Sequence, residues 1–342
     1  IKLDDLYSPL YGSFIVEYLE DRDFIEKLGD FTEDEMIVNG EKLDIEKLSK
    51  AYLTTMDKIF KPLDSHKLEK IDQAKAPKRR MKSKKPVDEV KVVIPAFPGT
   101  NSEYDTARAF ERAGAKAEVV IFRNKDDKAL QESIEELAEK ISKAQILAIP
   151  GGFSLGDEPG GSGKFIANVI RSEKVKKAIE TLLDGNDGLI LGICNGFQAL
   201  VKTGLLPYGK IKDLEEDDPT LTYNTCSRHI ARVVDTVVMS NNSPWLAKLD
   251  EGKTYKVPIS HGEGRFIASE EAIKEILDKE QVALCYADAP NGSALNVEAL
   301  MSEDGKILGK MGHSERKGEN LYFNVPGEKD QQIFESGVRY FK

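Results

Sequence analysis

The chain has 342 residues, enough for two domains or for one large domain with an appendage. Apolar residues make up 40% and charged residues 32%, the balance of a soluble protein with a sizeable core, and a formal net charge of -10 argues against nucleic acid as the main partner. No run approaches the roughly 20 apolar residues of a membrane helix, no signal peptide is visible, and three cysteines without paired spacing fit a reduced, cytoplasmic setting.

The chain opens at Ile1, without Met, inside sequence of ordered character, and is read as a piece of a longer polypeptide. Residues 1–60 read as a small α/β unit, with strands at 11–17 and 36–41 and a helix over 43–59. The helix rests on the spacing of Leu43, Ile45, Leu48, Tyr52, Leu53, Met56 and Ile59. Such a unit is too small to bury a core of its own and is expected to be the end of a larger domain. Residues 61–88 are crowded with lysine and arginine and broken by Pro62, Pro77 and Pro86, which reads as a solvated, mobile basic linker.

From residue 89 the pattern alternates. Strands are expected at 90–96, 117–122, 145–150 and 188–192, with helices at 105–113, 129–143 and 164–183 between them. That alternation predicts a parallel sheet with helices on both faces, whose ligands bind beyond the carboxyl ends of the strands. Pro98-Gly99-Thr100-Asn101, Pro150-Gly151-Gly152-Phe153-Ser154 and Cys194 all fall at those ends. After residue 203 the pattern weakens to an acidic loop at 213–219, antiparallel strands at 232–239 and 254–259, and strands at 282–287, 299–302 and 307–311, with Asp304-Gly305 as a turn.

Cys194 stands between an apolar run ending at Gly192 and a helix-like Phe197-Gln198-Ala199-Leu200, so it occupies the corner of a strand-turn-helix elbow. A helix N-terminus at that corner favours thiolate over thiol. On this segment alone, a nucleophile and a buried core cysteine weigh about equally. A cysteine nucleophile needs an imidazole, and the imidazole needs an orienting acid. Of the four histidines, His66 lies in the linker and His229 stands beside Cys226 without the company of a metal site. His313 with Glu315 ranks narrowly ahead of His261 with Glu263. Backbone N–H groups at Gly151-Gly152 and at Asn195 can receive an oxyanion.

Six blocks carry a resemblance: Pro98-Gly99-Thr100-Asn101, Pro150-Gly151-Gly152-Phe153-Ser154-Leu155-Gly156-Asp157, Gly192-Ile193-Cys194-Asn195-Gly196-Phe197-Gln198, Ser260-His261-Gly262-Glu263-Gly264-Arg265-Phe266, Pro290-Asn291-Gly292-Ser293 and Gly312-His313-Ser314-Glu315-Arg316. In this order they resemble the class I, triad-type glutamine amidotransferases, above all the glutaminase domains of phosphoribosylformylglycinamidine synthases. The resemblance implies a flavodoxin-like α/β fold over 89–342 and a triad of Cys194, His313 and Glu315. It implies an oxyanion hole at Gly152 and Asn195, and a glutamine site lined by Gly151, Gln198 and His261, without a metal. It also implies that residues 1–60 end an ATP-dependent synthase domain of the same polypeptide, with ATP and magnesium bound there and not in this chain. Two features depart from the family pattern. Ser314 stands where a proline usually fixes the turn after the histidine, and the segment Glu158-Pro159-Gly160-Gly161-Ser162-Gly163 is unusually glycine-rich. The alternatives are a cysteine hydrolase or chaperone of the same architecture, or an inactive docking module.

Overall fold

A computed structural model describes residues 8–9, 11–18, 27–30, 32, 35–55, 66–68, 71–156 and 163–342. The chain divides into two units, Ile1–Pro62 and Leu63–Lys342. In the first, strand Met36–Val38 pairs antiparallel with Glu41–Leu43 across Asn39-Gly40. Both turn residues have positive φ, 53° and 85°, the backbone twist that suits a two-residue hairpin. The helix runs over Ile45–Leu53, capped by Asp44, whose carboxylate accepts the Lys47 N–H at 2.9 Å. None of its residues is buried. Residues 11–17 form no strand; Tyr11-Gly12 make a turn in which the Tyr11 N–H donates to Pro9 O at 2.9 Å. The helix stops short of the expected end, and Met56 and Ile59 lie outside the described residues.

The second unit is built on one nine-stranded sheet: β1 (Lys91–Ala96), β2 (Lys116–Ile121), β3 (Ile146–Ile149), β4 (Leu189–Ile193), β5 (Ile230–Val238), β6 (Thr254–His261), β7 (Val282–Tyr286), β8 (Val297–Met301) and β9 (Ile307–Lys310). Their spatial order is β6-β5-β7-β8-β9-β4-β3-β1-β2. The five strands from β9 to β2 run parallel, and the other four join antiparallel. β3 and β4 are buried at every position, the signature of strands covered on both sides. From β1 the chain moves one way to β2, then back past β1 to β3 and β4. Right-handed crossovers in opposite directions put their helices on opposite faces. The crevice of such a sheet lies where the direction reverses, between the loops that follow β1 and β3.

The single helix expected over 164–183 is two, Lys164–Arg171 and Glu173–Glu180. They break at Ser172, which turns extended (ψ 138°) and whose hydroxyl donates to Val169 O at 2.6 Å. A pairing of Thr220–Tyr223 with Glu263–Ile267, and helices Glu270–Asp278 and Ile333–Arg339, lie in stretches left unassigned by the sequence pattern. Among the described residues no helix is long and apolar enough to cross a membrane.

Much of the described basic stretch is exposed, as expected, but it is tied down along its length. Leu68, Ala74, Ser83 and Val87 donate backbone N–H groups to Ala287, Leu277, Tyr340 and Phe341 of the second unit. Arg79 is buried and its guanidinium donates to four carbonyls, of Glu303 (2.6 Å), Asn242 (2.9 Å), Lys279 (2.7 Å) and Glu280 (3.1 Å). Residues 71–88 therefore form a strap laid along the sheet unit, and lysine content alone did not reveal the one buried cation among them.

Candidate active site

The carboxyl ends of β1, β3, β4 and β9 share one edge of the sheet, so the loops that follow them meet there. Cys194 caps β4 with φ 51° and ψ −105°, outside the usual regions for a side-chain-bearing residue. Such a backbone costs on the order of 1–3 kcal/mol and persists where its surroundings enforce it. Here the Cys194 N–H donates to Lys310 O at 2.7 Å, while its carbonyl accepts Gln198 N–H at 3.0 Å. Gly196 makes the bend sterically feasible: a Cβ there would lie 2.0 Å from Ile149 O.

His313 arrives three residues beyond β9. Its backbone N–H donates to Pro258 O of β6 at 2.9 Å, so the antiparallel end of the sheet curls back to meet the turn. The ring nitrogen Nδ1 lies 2.5 Å from Glu315 Oε1, and both side chains are fully buried. Nε2 has no nitrogen or oxygen partner. Burial alone would lower the proton affinity of the imidazole, but the Glu315 carboxylate and the adjacent Cys194 sulfur outweigh it and raise it well above the ordinary value. Glu315 is held below its usual range: burial opposes this, and the His313 charge prevails. Between sulfur and ring sits Gly151. A Cβ on it would lie 2.7 Å from His313 Cε1 and 3.3 Å from Cys194 Cβ. The arrangement is a buried thiol, an imidazole with one nitrogen tied to a carboxylate, and a glycine that lets them approach. It is suited to nucleophilic attack with proton transfer.

A sequence profile of the CobB/CobQ-like glutamine amidotransferase domain matches residues 89–341. The chain belongs to this family. It is 34% identical over 242 residues to phosphoribosylformylglycinamidine synthase subunit PurQ of Campylobacter jejuni, covering 70% of this chain and 93% of that protein. Against the subunit of the same name from Dehalococcoides mccartyi it is 36% identical over 243 residues, covering 67% and 86%. A solved structure titled as PurLQS from Thermotoga maritima superposes with a TM-score of 0.55 at 28% identity, over 74% of this chain and all (100%) of that one. The chain is thus an enzyme, a glutamine amidotransferase.

The other expected residues of this amidotransferase take varied places. Gly152 holds φ 151° and bridges to Thr100, knitting the loops after β1 and β3 together. Asn195 is buried; its side-chain Oδ1 accepts the Ser154 N–H at 3.2 Å and its Nδ2 donates to Gln198 Oε1 at 2.9 Å. Gln198 donates in turn to Glu263 O, so both ends of its side chain are engaged with protein. His261 is buried beside Asn224 Oδ1 at 3.1 Å; burial, with His313 and His229 nearby, pushes it down to about 3, so it is neutral at ordinary pH. Its Nδ1 is taken by Asn224 and its Nε2 has no partner, so Glu263 does not orient it, whereas His313 is paired with Glu315. Residues 157–162 of the glycine-rich segment lie outside the described residues.

Three neighbours were not found from the sequence. Lys310 and Glu298 form a fully buried ion pair directly behind the His313 turn, and Tyr286, whose hydroxyl is buried without a partner, feels the charges of both Glu298 and Cys194. The signal was present, since Lys310 and Glu298 each interrupt an otherwise apolar strand.

Proposed function

We propose that this chain cleaves the side-chain amide of glutamine with Cys194, His313 and Glu315, and delivers the ammonia for ATP-dependent conversion of formylglycinamide ribonucleotide to formylglycinamidine ribonucleotide in the cytoplasm. The reading is carried by one observation: Glu315 ties the Nδ1 side of a buried imidazole whose Nε2 is left open beside a sulfur held at the elbow. Cys194 Sγ attacks the amide carbon as a thiolate, facing a His313 imidazole that already carries the proton. The oxyanion is received by the N–H groups of Gly152 and Asn195. His313 gives its proton to the nitrogen, the C–N bond breaks, and ammonia leaves behind a glutamyl thioester. Water then attacks the thioester and gives a proton to His313; the C–S bond breaks, the sulfur leaves as thiolate beside the protonated ring, and glutamate is released.

The names of the curated relatives support the purine-synthesis acceptor. ATP and magnesium would bind to the synthase, which the reading places on the same polypeptide. The helix Ile45–Leu53, apolar on one face yet without a buried residue, supports residues 1–60 as the end of such a domain. The test is Cys194→Ser in the presence of the synthase. Glutamine-dependent synthesis should vanish while synthesis from free ammonia persists; loss of both, or retention of both, overturns the assignment.

A further inference from the structure

The residues on either side of His313 are gripped by one buried charge pair. Lys310 and Glu298 have no exposed surface (0% each), and Nζ lies 3.1 Å from Oε1. Lys310 Nζ also donates to Gly312 O at 2.8 Å and to Ser314 Oγ at 2.9 Å, which uses all three of its N–H groups. Glu298 Oε1 accepts the Gly312 N–H at 2.6 Å. A Cβ at position 312 would lie 2.7 Å from that oxygen and 3.1 Å from Nζ, so the approach requires glycine. Ser314 Oγ passes its own hydrogen to Gln331 Oε1 at 2.5 Å, and Gln331 Nε2 donates to Thr236 Oγ1 of β5 at 3.0 Å. The chain of bonds thus runs from β8 and β9, through both neighbours of His313, to β5.

Stability is a poor account of this pair. Burying two charges costs several kcal/mol per ion, and well-packed apolar residues of similar volume do as well or better. What apolar residues cannot do is hold a carbonyl, an N–H and a hydroxyl at fixed places around the turn. We propose that Glu298, Lys310 and Ser314 are positioning residues that set the His313 ring against Cys194. The inference rests on the amide-cleaving reading given above. Ser314 then takes part in fixing the turn through its hydroxyl, where a proline would act through its ring.

The test measures glutamine hydrolysis, Cys194 labelling by a diazoketone analogue of glutamine, and thermal unfolding, in the parent, E298L/K310M and S314A. The double variant should unfold within a few degrees of the parent, lose at least about tenfold in kcat and keep KM within about threefold, because only the placement of the ring changes. S314A should lose less, in the same direction, with slower labelling. A folded double variant with parental kcat and labelling rate overturns the proposal. If the double variant does not fold, parental kcat in S314A overturns it instead. A parent that neither labels at Cys194 nor releases glutamate refutes the amide-cleaving reading, an outcome distinct from failure of the positioning role.

Discussion

Gly151→Ala adds one methyl group at the point where sulfur and imidazole meet. The backbone at Gly151 is not in the left-handed region, so alanine brings no conformational strain there, only volume. Its Cβ would lie 2.7 Å from His313 Cε1, whereas carbon atoms in contact rest at about 3.5–4.0 Å. The ring must therefore retreat by about 1 Å, and the second contact, 3.3 Å to Cys194 Cβ, blocks relief in the opposite direction. A displacement of that size at a reacting group costs about a hundredfold in rate, or about 2.7 kcal/mol of activation free energy. Steady-state glutamate release and the rate of Cys194 labelling should both fall accordingly, with the unfolding transition as a control for folding. A folded variant whose kcat stays within about threefold of the parent would show that the two groups do not act across this gap.

In Glu315→Gln the charge that holds the proton on His313 is gone, and burial should draw the ring's titration downward, as read by NMR of the labelled imidazole. The sign for stability follows: the His313 contribution is present in full below about pH 6.5 and is lost as pH rises through the raised value, so the variant should lose less stability on the alkaline side. An unchanged titration would contradict the role given to Glu315. Asp187, despite burial that would raise it, is held down to about 2 by Lys306 at 2.6 Å, the Lys84 N–H at 2.7 Å and the Tyr340 hydroxyl at 3.0 Å. Its depressed value contributes about 2 kcal/mol above about pH 4, lost as pH falls toward 2. Asp187→Asn should be less stable at neutral pH, with a flatter acid limb in urea titrations; parental midpoints at neutral pH would count against it. Arg79→Met strands four carbonyls and should cost at least about 3 kcal/mol in denaturant unfolding. A loss under about 1 kcal/mol would mean that the strap is not anchored there.

Local pattern and tertiary placement contributed different things. Alternation of apolar runs with helical spacing from residue 89 to 202 rests on short-range periodicity, and the parallel strands β1 to β4 follow it closely. Cys194 was legible as a corner because Gly192 and Gly196 bracket it, and an elbow is a local object. The break at Ser172 was not legible, because a serine tolerates both the helix and the extended ψ it adopts. The strap over 71–88 was misjudged for a related reason: its lysines are indeed mostly at the surface, and only Arg79 finds the four carbonyls that draw it inside, all of them between residues 242 and 303.

By itself the sequence determined which residues had the right chemistry and where each lay along its own element, since that depends on neighbours a few positions away. Local pattern left His261 and His313 nearly level as partners for the cysteine, and the resemblance of the six blocks favoured His313. The tertiary structure supplied the placement: β9 pairs with β4 in a register that puts Lys310 O on the Cys194 N–H, which brings the turn carrying His313 beside the sulfur with its Nδ1 on Glu315. Whether an imidazole meets a thiol across more than a hundred residues depends on strand order, and strand order arises from the packing of the whole sheet.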